Sequence, residues 1–178
     1  MVTRKKMPLP TAAEPPQPDA APVRMHCRIL IIEARFYEEI AGELVKGAIA
    51  ELEAQGAKYD RVAVPGALEI PQVLAQAAQS GLIPANAPSA LYAGVVALGC
   101  VIRGETAHYD IVCNNTNHWL MDVAMRHTIP VGNGILTVDN EKQALARARG
   151  GREGKGGDAA RACLRLVDTA RVFEGQSA

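Results

Sequence analysis

The sequence predicts an α/β fold: a three-layer αβα sandwich in which helices cover both faces of a four-stranded parallel sheet. Short apolar, β-branched runs alternate with longer segments whose apolar residues recur about every four positions. The most hydrophobic run, residues 93–102, carries no charge, as a strand buried on both faces requires. At 178 residues and 48% hydrophobic composition, the chain holds enough apolar surface for one substantial core.

The elements follow in order. Residues 1–22 hold six of the eleven prolines and few large apolar side chains, so they read as a flexible tail, with 23–178 as the folded domain. A Pro-x-x-Pro ligand is the alternative use of that tail. Residues 27–33 (CRILIIE) form a buried strand. Ile40, Leu44, Ala48 and Leu52 then define one face of an amphipathic helix, with Glu38, Glu43, Lys46 and Glu53 mostly opposite and Gly56 as its C′ residue. Residues 61–64 give a second strand, stopped by Pro65-Gly66. Residues 68–80 read as a helix with Pro71 in its first turn and Gly81 beyond its end. After a proline-containing loop at 84–89 comes the central strand, 93–102, followed by a helix over 109–127. A fourth strand at 131–138, short helical residues from Asn140, a Gly/Arg-rich loop at 149–157 and a final helix over 158–173 complete the chain.

Composition excludes several classes. Nineteen basic residues balance nineteen acidic ones, which argues against a polyanion binder held by bulk charge. One Trp, two Phe and four Tyr leave no stock of stacking platforms for single-stranded nucleic acid. The longest uncharged apolar stretch is too short to cross a bilayer. The N-terminus has Arg4, Lys5 and Lys6 but lacks the apolar run of a secretory signal, and it carries Glu14 and Asp19, unlike a transit peptide. The expected location is therefore the cytoplasm. Cys27, Cys100, Cys113 and Cys163 form no C-x-x-C pair, which suits reduced, mostly buried thiols rather than a zinc site or a disulfide framework.

Parallel sheets bind ligands outside the carboxyl ends of their strands. That directs attention to 34–37, 65–69, 103–108 and the surroundings of Gly132-Asn133. The central strand runs into Gly99-Cys100-Val101-Ile102-Arg103-Gly104-Glu105-Thr106, a near miss to a nucleotide-binding P-loop. Glu105 stands where the decisive lysine would be, and its charge repels phosphate. Gly104, backbone N–H groups and the Thr106 hydroxyl at a helix start still suit one phosphate monoester. The bland alternative is an ordinary turn in which Thr106 caps the helix. His108, two residues on, is a proton carrier or a surface histidine on this pattern alone. Lys142, Arg147, Arg149, Arg152 and Lys155 form a basic run that serves either as a solvated face or as a source of a phosphate-binding guanidinium. Val64-Pro65-Gly66-Ala67-Leu68-Glu69 places Glu69 near a helix N-terminus, where it stabilises the helix or accepts from polyol hydroxyls. Phe36 is either a hydrophobic staple or a face for a heterocycle.

Together these segments resemble the lumazine synthase family. The matching pieces are Ala34-Arg35-Phe36, Val64 to Pro71 (VPGALEIP), Ala97 to Asp110 (ALGCVIRGETAHYD), Gly134 to Thr137 (GILT) and Gln143 to Ala148 (QALARA), in family order across nearly all of the chain beyond the tail. The resemblance implies a flavodoxin-like sandwich. It also implies condensation of 5-amino-6-(D-ribitylamino)uracil with 3,4-dihydroxy-2-butanone 4-phosphate to 6,7-dimethyl-8-ribityllumazine, with loss of phosphate and water, the penultimate step of riboflavin biosynthesis. Phe36 would stack on the pyrimidine, with Ala67, Leu68 and Glu69 on its ribityl side, Cys100, Val101 and Ile102 lining it, and Asn133 facing it across a subunit boundary. Glu105, Thr106 and Arg147 would bind the phosphate, and His108 would transfer protons. No cofactor or metal is implied. The implied partners are further copies of the chain, as a homopentamer with sites between subunits, and riboflavin synthase as receiver of the product; nucleic acid and membrane are not.

Leu68 replaces a commoner aromatic of the family, Glu105 a commoner small residue and Asn133 another aromatic. The 149–157 loop also lacks the Gly-Thr-Lys-Ala-Gly pattern typical of sixty-subunit shells, which points to a simple pentamer. Two other classes remain on the residues: a pocket that captures flavin-like ligands with little turnover, and a scaffold whose tail recruits partners. The presence of Thr106, His108 and Arg147 together favours catalysis.

Overall fold

A computed structural model describes residues 27–87 and 89–175. The expected flexible tail, 1–22, lies outside the described residues. The chain runs β1 (Arg28–Ala34), α1 (Glu38–Ala54), β2 (Lys58–Val64), a 3-10 turn (Ala67–Glu69), α2 (Ile70–Gln79), β3 (Gly94–Ile102), α3 (His108–Arg126), β4 (Val131–Val138), α4 (Glu141–Ala148), a second 3-10 turn (Gly151–Glu153) and α5 (Lys155–Phe173). All strand pairings are parallel and the sheet order is β2-β1-β3-β4.

The side-chain period of two explains how one sheet makes two cores. On β1, Ile29 and Ile31 face α1 and α5, in a cluster with Leu44, Leu52, Cys163 and Leu164. Leu30 and Ile32 face the other way, toward α2 and α3, with Leu74, Leu120 and Ala124. Both faces are covered, as the α/β expectation requires. Helix α1 presents Ile40, Leu44, Ala48 and Leu52 as its buried stripe. It ends at Gly56, whose φ of +73° an L side chain rarely adopts. At α4 the Asn140 side chain accepts a 3.0 Å hydrogen bond from the Gln143 N–H, a sequence-legible N-cap.

Four expectations are corrected in detail. Strand β2 begins at Lys58 rather than at 61: it is an edge strand, so Lys58-Tyr59-Asp60 pairs through its backbone without an apolar signature. There Arg28 Nη1 donates to both Asp60 carboxylate oxygens, at 2.8 and 2.9 Å. The helix expected over 68–80 divides into a 3-10 turn and α2, with Pro71 in the first turn of α2. Helix α5 starts at Lys155, so Gly156 and Gly157 belong to it and not to the loop. Their lack of a side chain is used for packing, because a Cβ on Gly156 would run into the Leu44 carbonyl. Finally, Gly132-Asn133 lies near the amino end of the fourth strand and not at the carboxyl edge where ligand loops are expected. Asn133 is in register with Ala97 midway along β3.

Candidate active site

In this strand order the chain leaves β1 toward β2 on one side and returns to β3 on the other. The loops after β1 and β3 therefore diverge and open a crevice at the carboxyl edge. A cavity of about 410 Å³ occupies that crevice. Its walls come from four places: Phe36 and Tyr37 after β1, Pro65 to Glu69 after β2, Cys100, Val101 and Ile102 at the end of β3, and Gly104, Thr106, His108, Tyr109 and Val112 across the β3–α3 junction.

Most of the expected site residues thus meet at one place. Phe36, Ala67, Leu68, Glu69, Cys100, Val101, Ile102, Thr106 and His108 all line the cavity. Glu105, Asn133 and Arg147 do not line it. Glu105 sits on the exposed rim of the β3–α3 loop. Asn133 is exposed on β4, where its Nδ2 donates to Asn117 Oδ1 at 2.7 Å and its Oδ1 accepts from the Ile135 N–H at 3.0 Å. Arg147 projects from the last turn of α4 and is exposed.

Tyr37, Tyr109 and Val112 line the cavity without a role assigned to them from sequence, although Tyr37 lies in the 34–37 segment. Val112 stands one helical turn after His108, so the i,i+4 spacing on α3 was the available signal. Tyr37 packs edge-to-face on Phe36, with ring centroids 4.9 Å apart.

The basic run resolves residue by residue. Arg149 pairs with Glu39 at 2.7 Å, Arg152 with Glu51 at 2.8 Å and Lys155 with Asp158 at 2.7 Å, so these three serve the fold. Arg147 forms no ion pair with a described residue, which leaves its guanidinium available for a ligand.

Electrostatics restrict the chemistry. Cys100 lines the cavity from the core side, and burial pushes the pKa of its thiol up to about 11, with Cys113 adding to the rise. The thiol is therefore held protonated at neutral pH, without the lowered pKa of an activated nucleophile. His108 is exposed at the first position of α3, and its backbone N–H reaches Thr106 Oγ1 only at 3.4 Å. Thr106 is therefore a poor helix cap, and its hydroxyl is open to a ligand. Arg103 at the loop's edge lies 4.0 Å over the Tyr109 ring and pairs with Asp139 at 3.3 Å, bracing the β3–α3 junction. The cavity joins an aromatic face, a carboxylate, backbone groups of a β-strand end and an imidazole, a set able to stack on a planar ring, accept from hydroxyls and exchange protons.

Comparison with known proteins covers the segment that carries the cavity. The family model for 6,7-dimethyl-8-ribityllumazine synthase matches residues 26–171. A 6,7-dimethyl-8-ribityllumazine synthase of Azorhizobium caulinodans is 54% identical over 140 residues, 79% of this chain and 84% of that protein. One of Agrobacterium fabrum is 50% identical over 147 residues, covering 83% of this chain and 97% of its own length. The 6,7-dimethyl-8-ribityllumazine synthase 1 of Rhodopseudomonas palustris is 50% identical over 140 residues, 79% of this chain and 83% of its own.

Proposed function

The chain belongs to the 6,7-dimethyl-8-ribityllumazine synthase family, and on that premise we propose how its crevice works. The enzyme condenses 5-amino-6-(D-ribitylamino)uracil with 3,4-dihydroxy-2-butanone 4-phosphate to 6,7-dimethyl-8-ribityllumazine. The observation that carries the site is the convergence of Phe36, Ala67 to Glu69, Cys100 to Ile102, Thr106 and His108 on one cavity at the β1/β3 crevice.

The pyrimidine lies against Phe36, its edge toward the backbone of Cys100 to Ile102. The ribityl chain runs toward Glu69, whose carboxylate accepts from hydroxyls. The phosphate of the four-carbon substrate sits at the β3–α3 loop, near Thr106, with Glu105 on the rim. The 5-amino group forms an imine with the butanone carbonyl, releasing water; loss of a proton and of phosphate then leaves an enol that tautomerises to a ketone. That carbonyl closes on the ribitylamino nitrogen with loss of a second water, and His108 carries protons between these steps. Such chemistry asks the protein mainly for proximity and orientation.

The site is completed by a second copy of the chain. Phe36 is 71% exposed, and the cavity of one chain contains neither Asn133 nor Arg147. Beside it runs an apolar groove lined by Leu68, Pro71, Ala75, Ile111 and Trp119, which shares Leu68 with the cavity. Ile111, Trp119, Met121 and Met125 stay exposed on α3. A homopentamer that seats each neighbour on this surface covers those side chains and brings Arg147 and Asn133 to the open side of the cavity. The protein works in the cytoplasm, in keeping with its free cysteines, and hands its product to riboflavin synthase. No helix of the described residues is long and apolar enough to cross a membrane.

The deciding assay mixes the two substrates with purified protein and follows lumazine absorbance together with phosphate release. Lumazine and phosphate appearing together establish turnover. Tight capture of product without phosphate release would make the chain a flavin-type binding protein.

A further inference from the structure

We propose that Arg35 is a positioning residue for the pyrimidine: clamped between Glu33 and Glu38, it holds the β1–α1 loop so that Phe36 stays turned into the cavity. This rests on the reading of Phe36 as the stacking face. A ring that is 71% exposed is not oriented by core packing, and among the described residues its one aromatic partner is Tyr37, itself in the same loop. Its direction must come from the backbone of residues 35–37.

That backbone is fastened at Arg35 in three directions. Its N–H donates to the Val64 carbonyl at 3.0 Å, tying the loop to the end of β2, where the opposite wall of the cavity begins. Its Nη1 donates to Glu33 Oε2 at 2.7 Å, and the rest of the guanidinium binds the Glu38 carboxylate in the first turn of α1. Glu33 is a fixed anchor. It is 2% exposed, and its other oxygen accepts from Arg61 Nε on β2 at 2.8 Å. A buried carboxylate matched by two guanidinium groups has no lower-energy place to go. Arg35 is not among the cavity-lining residues, so its influence on substrate passes through Phe36.

The test is a set of steady-state measurements on the assembled enzyme. Arg35→Gln removes both carboxylate links, while Arg61 continues to pair Glu33 and protects folding. It is expected to raise KM for the pyrimidine about tenfold while kcat and KM for the butanone phosphate stay within about twofold. Arg61→Gln removes the other partner of Glu33 from a strand that does not touch the cavity. It lowers the melting temperature to a similar degree and leaves the pyrimidine KM unchanged. Phe36→Ala raises that KM by itself, and adding Arg35→Gln to it brings no further rise, since the clamp then has nothing to hold. Arg35→Lys, which cannot span two carboxylates as a fork, gives a smaller rise in the same direction and carries the test should the glutamine variant not fold. Equal KM values for Arg35→Gln and Arg61→Gln, or additive effects of Arg35→Gln and Phe36→Ala, would overturn the clamp and leave stacking intact. An unchanged KM in Phe36→Ala would overturn the stacking reading and the clamp with it.

Discussion

Arg152 Nε donates to the Glu51 carboxylate at 2.8 Å, joining positions 101 residues apart. Glu51 is fully buried on α1, and its carboxylate also accepts from Arg161 Nη2 of α5 at 3.2 Å and from Gln55 Nε2 at 3.1 Å. The contact pins the turn after α4 onto α1, and with it the end of the helix that carries Arg147. Burial raises the Glu51 pKa, but hydrogen bonds from Arg152 and Gln55 and the charges of Arg161 and Arg152 outweigh it and hold the carboxyl below its ordinary value. A carboxylate with a lowered folded-state pKa stabilises the fold above its unfolded value, about 4.3, and that contribution disappears as pH falls through the folded value. Glu51→Gln is therefore expected to cost about 1–3 kcal/mol near neutrality. Denaturant melts between pH 7 and pH 3 should show the two proteins converging on the acidic side. A gap that stays constant with pH would mean that charge plays no part.

Two glycines in helices should respond in opposite ways to alanine. Gly42 on α1 has open space where a Cβ would go, so Gly42→Ala is expected to stabilise by about 0.5–1 kcal/mol. Gly156 on α5 has the Leu44 carbonyl in that space, and a backbone atom cannot swing aside. Gly156→Ala should destabilise by roughly 1–3 kcal/mol as the α1–α5 contact opens. Melting temperatures of the two variants decide it, and a neutral Gly156→Ala would show that the helices slide apart freely.

Those glycines also mark where sequence stops being informative. Ile40, Leu44, Ala48 and Leu52 announce α1 because burial follows the helical period, and 93–102 announces β3 because both its faces are covered. Lys155-Gly156-Gly157 looks like loop, since glycine is a poor helix former, and only the approach of Leu44 explains its presence in α5. Lys58-Tyr59-Asp60 is silent because an edge strand needs backbone partners more than apolar side chains. In the site, the motifs around Phe36, Pro65-Gly66 and Gly104 marked the crevice because a parallel sheet gathers its loops at one edge. Asn133 falls in the expected fourth strand, but nothing in the sequence tells that its register sets it away from the carboxyl edge. The involvement of Tyr37 depends on the direction of the Phe36 ring, which the chain order does not state.

His108 should behave as a proton carrier that chemistry can partly do without. It lines the cavity from the first position of α3, exposed and clear of the core, so its removal leaves packing intact. His108→Ala is expected to slow turnover by about 10²–10⁴-fold with an unchanged melting temperature. Wild-type turnover would make it an ordinary surface histidine.

Arg147 should answer to one substrate only. Of the five basic residues between 142 and 155, three are committed to carboxylates, whereas Arg147 forms no ion pair with a described residue. A charge-assisted hydrogen bond to phosphate is worth roughly 1.5–3 kcal/mol, so Arg147→Ala should cost about ten- to a hundredfold in kcat/KM for the butanone phosphate. The pyrimidine KM should hardly move. Kinetics unchanged for both substrates would remove Arg147 from the site.

The assembly prediction joins these sites to one another. Arg147 does not line the cavity of its own chain, yet the proposed chemistry needs a cation there, so a neighbour must supply it. Cyclic head-to-tail packing provides this repeatedly, because each subunit offers one half of a site to the next. Five chains of 18.9 kDa give about 95 kDa, whereas a sixty-subunit shell would exceed about a megadalton. Size exclusion coupled to light scattering distinguishes them. A fully active monomer would contradict shared sites, and a shell would show that the 149–157 segment does not limit assembly. Subunit mixing goes further. Phe36→Ala damages the half-site that a chain keeps, and Arg147→Ala damages the half that it lends. In a mixed pentamer some interfaces pair an intact Phe36 with an intact Arg147, so activity should rise above that of either variant alone. If every site drew both residues from one chain, each would carry one lesion and mixing would restore nothing.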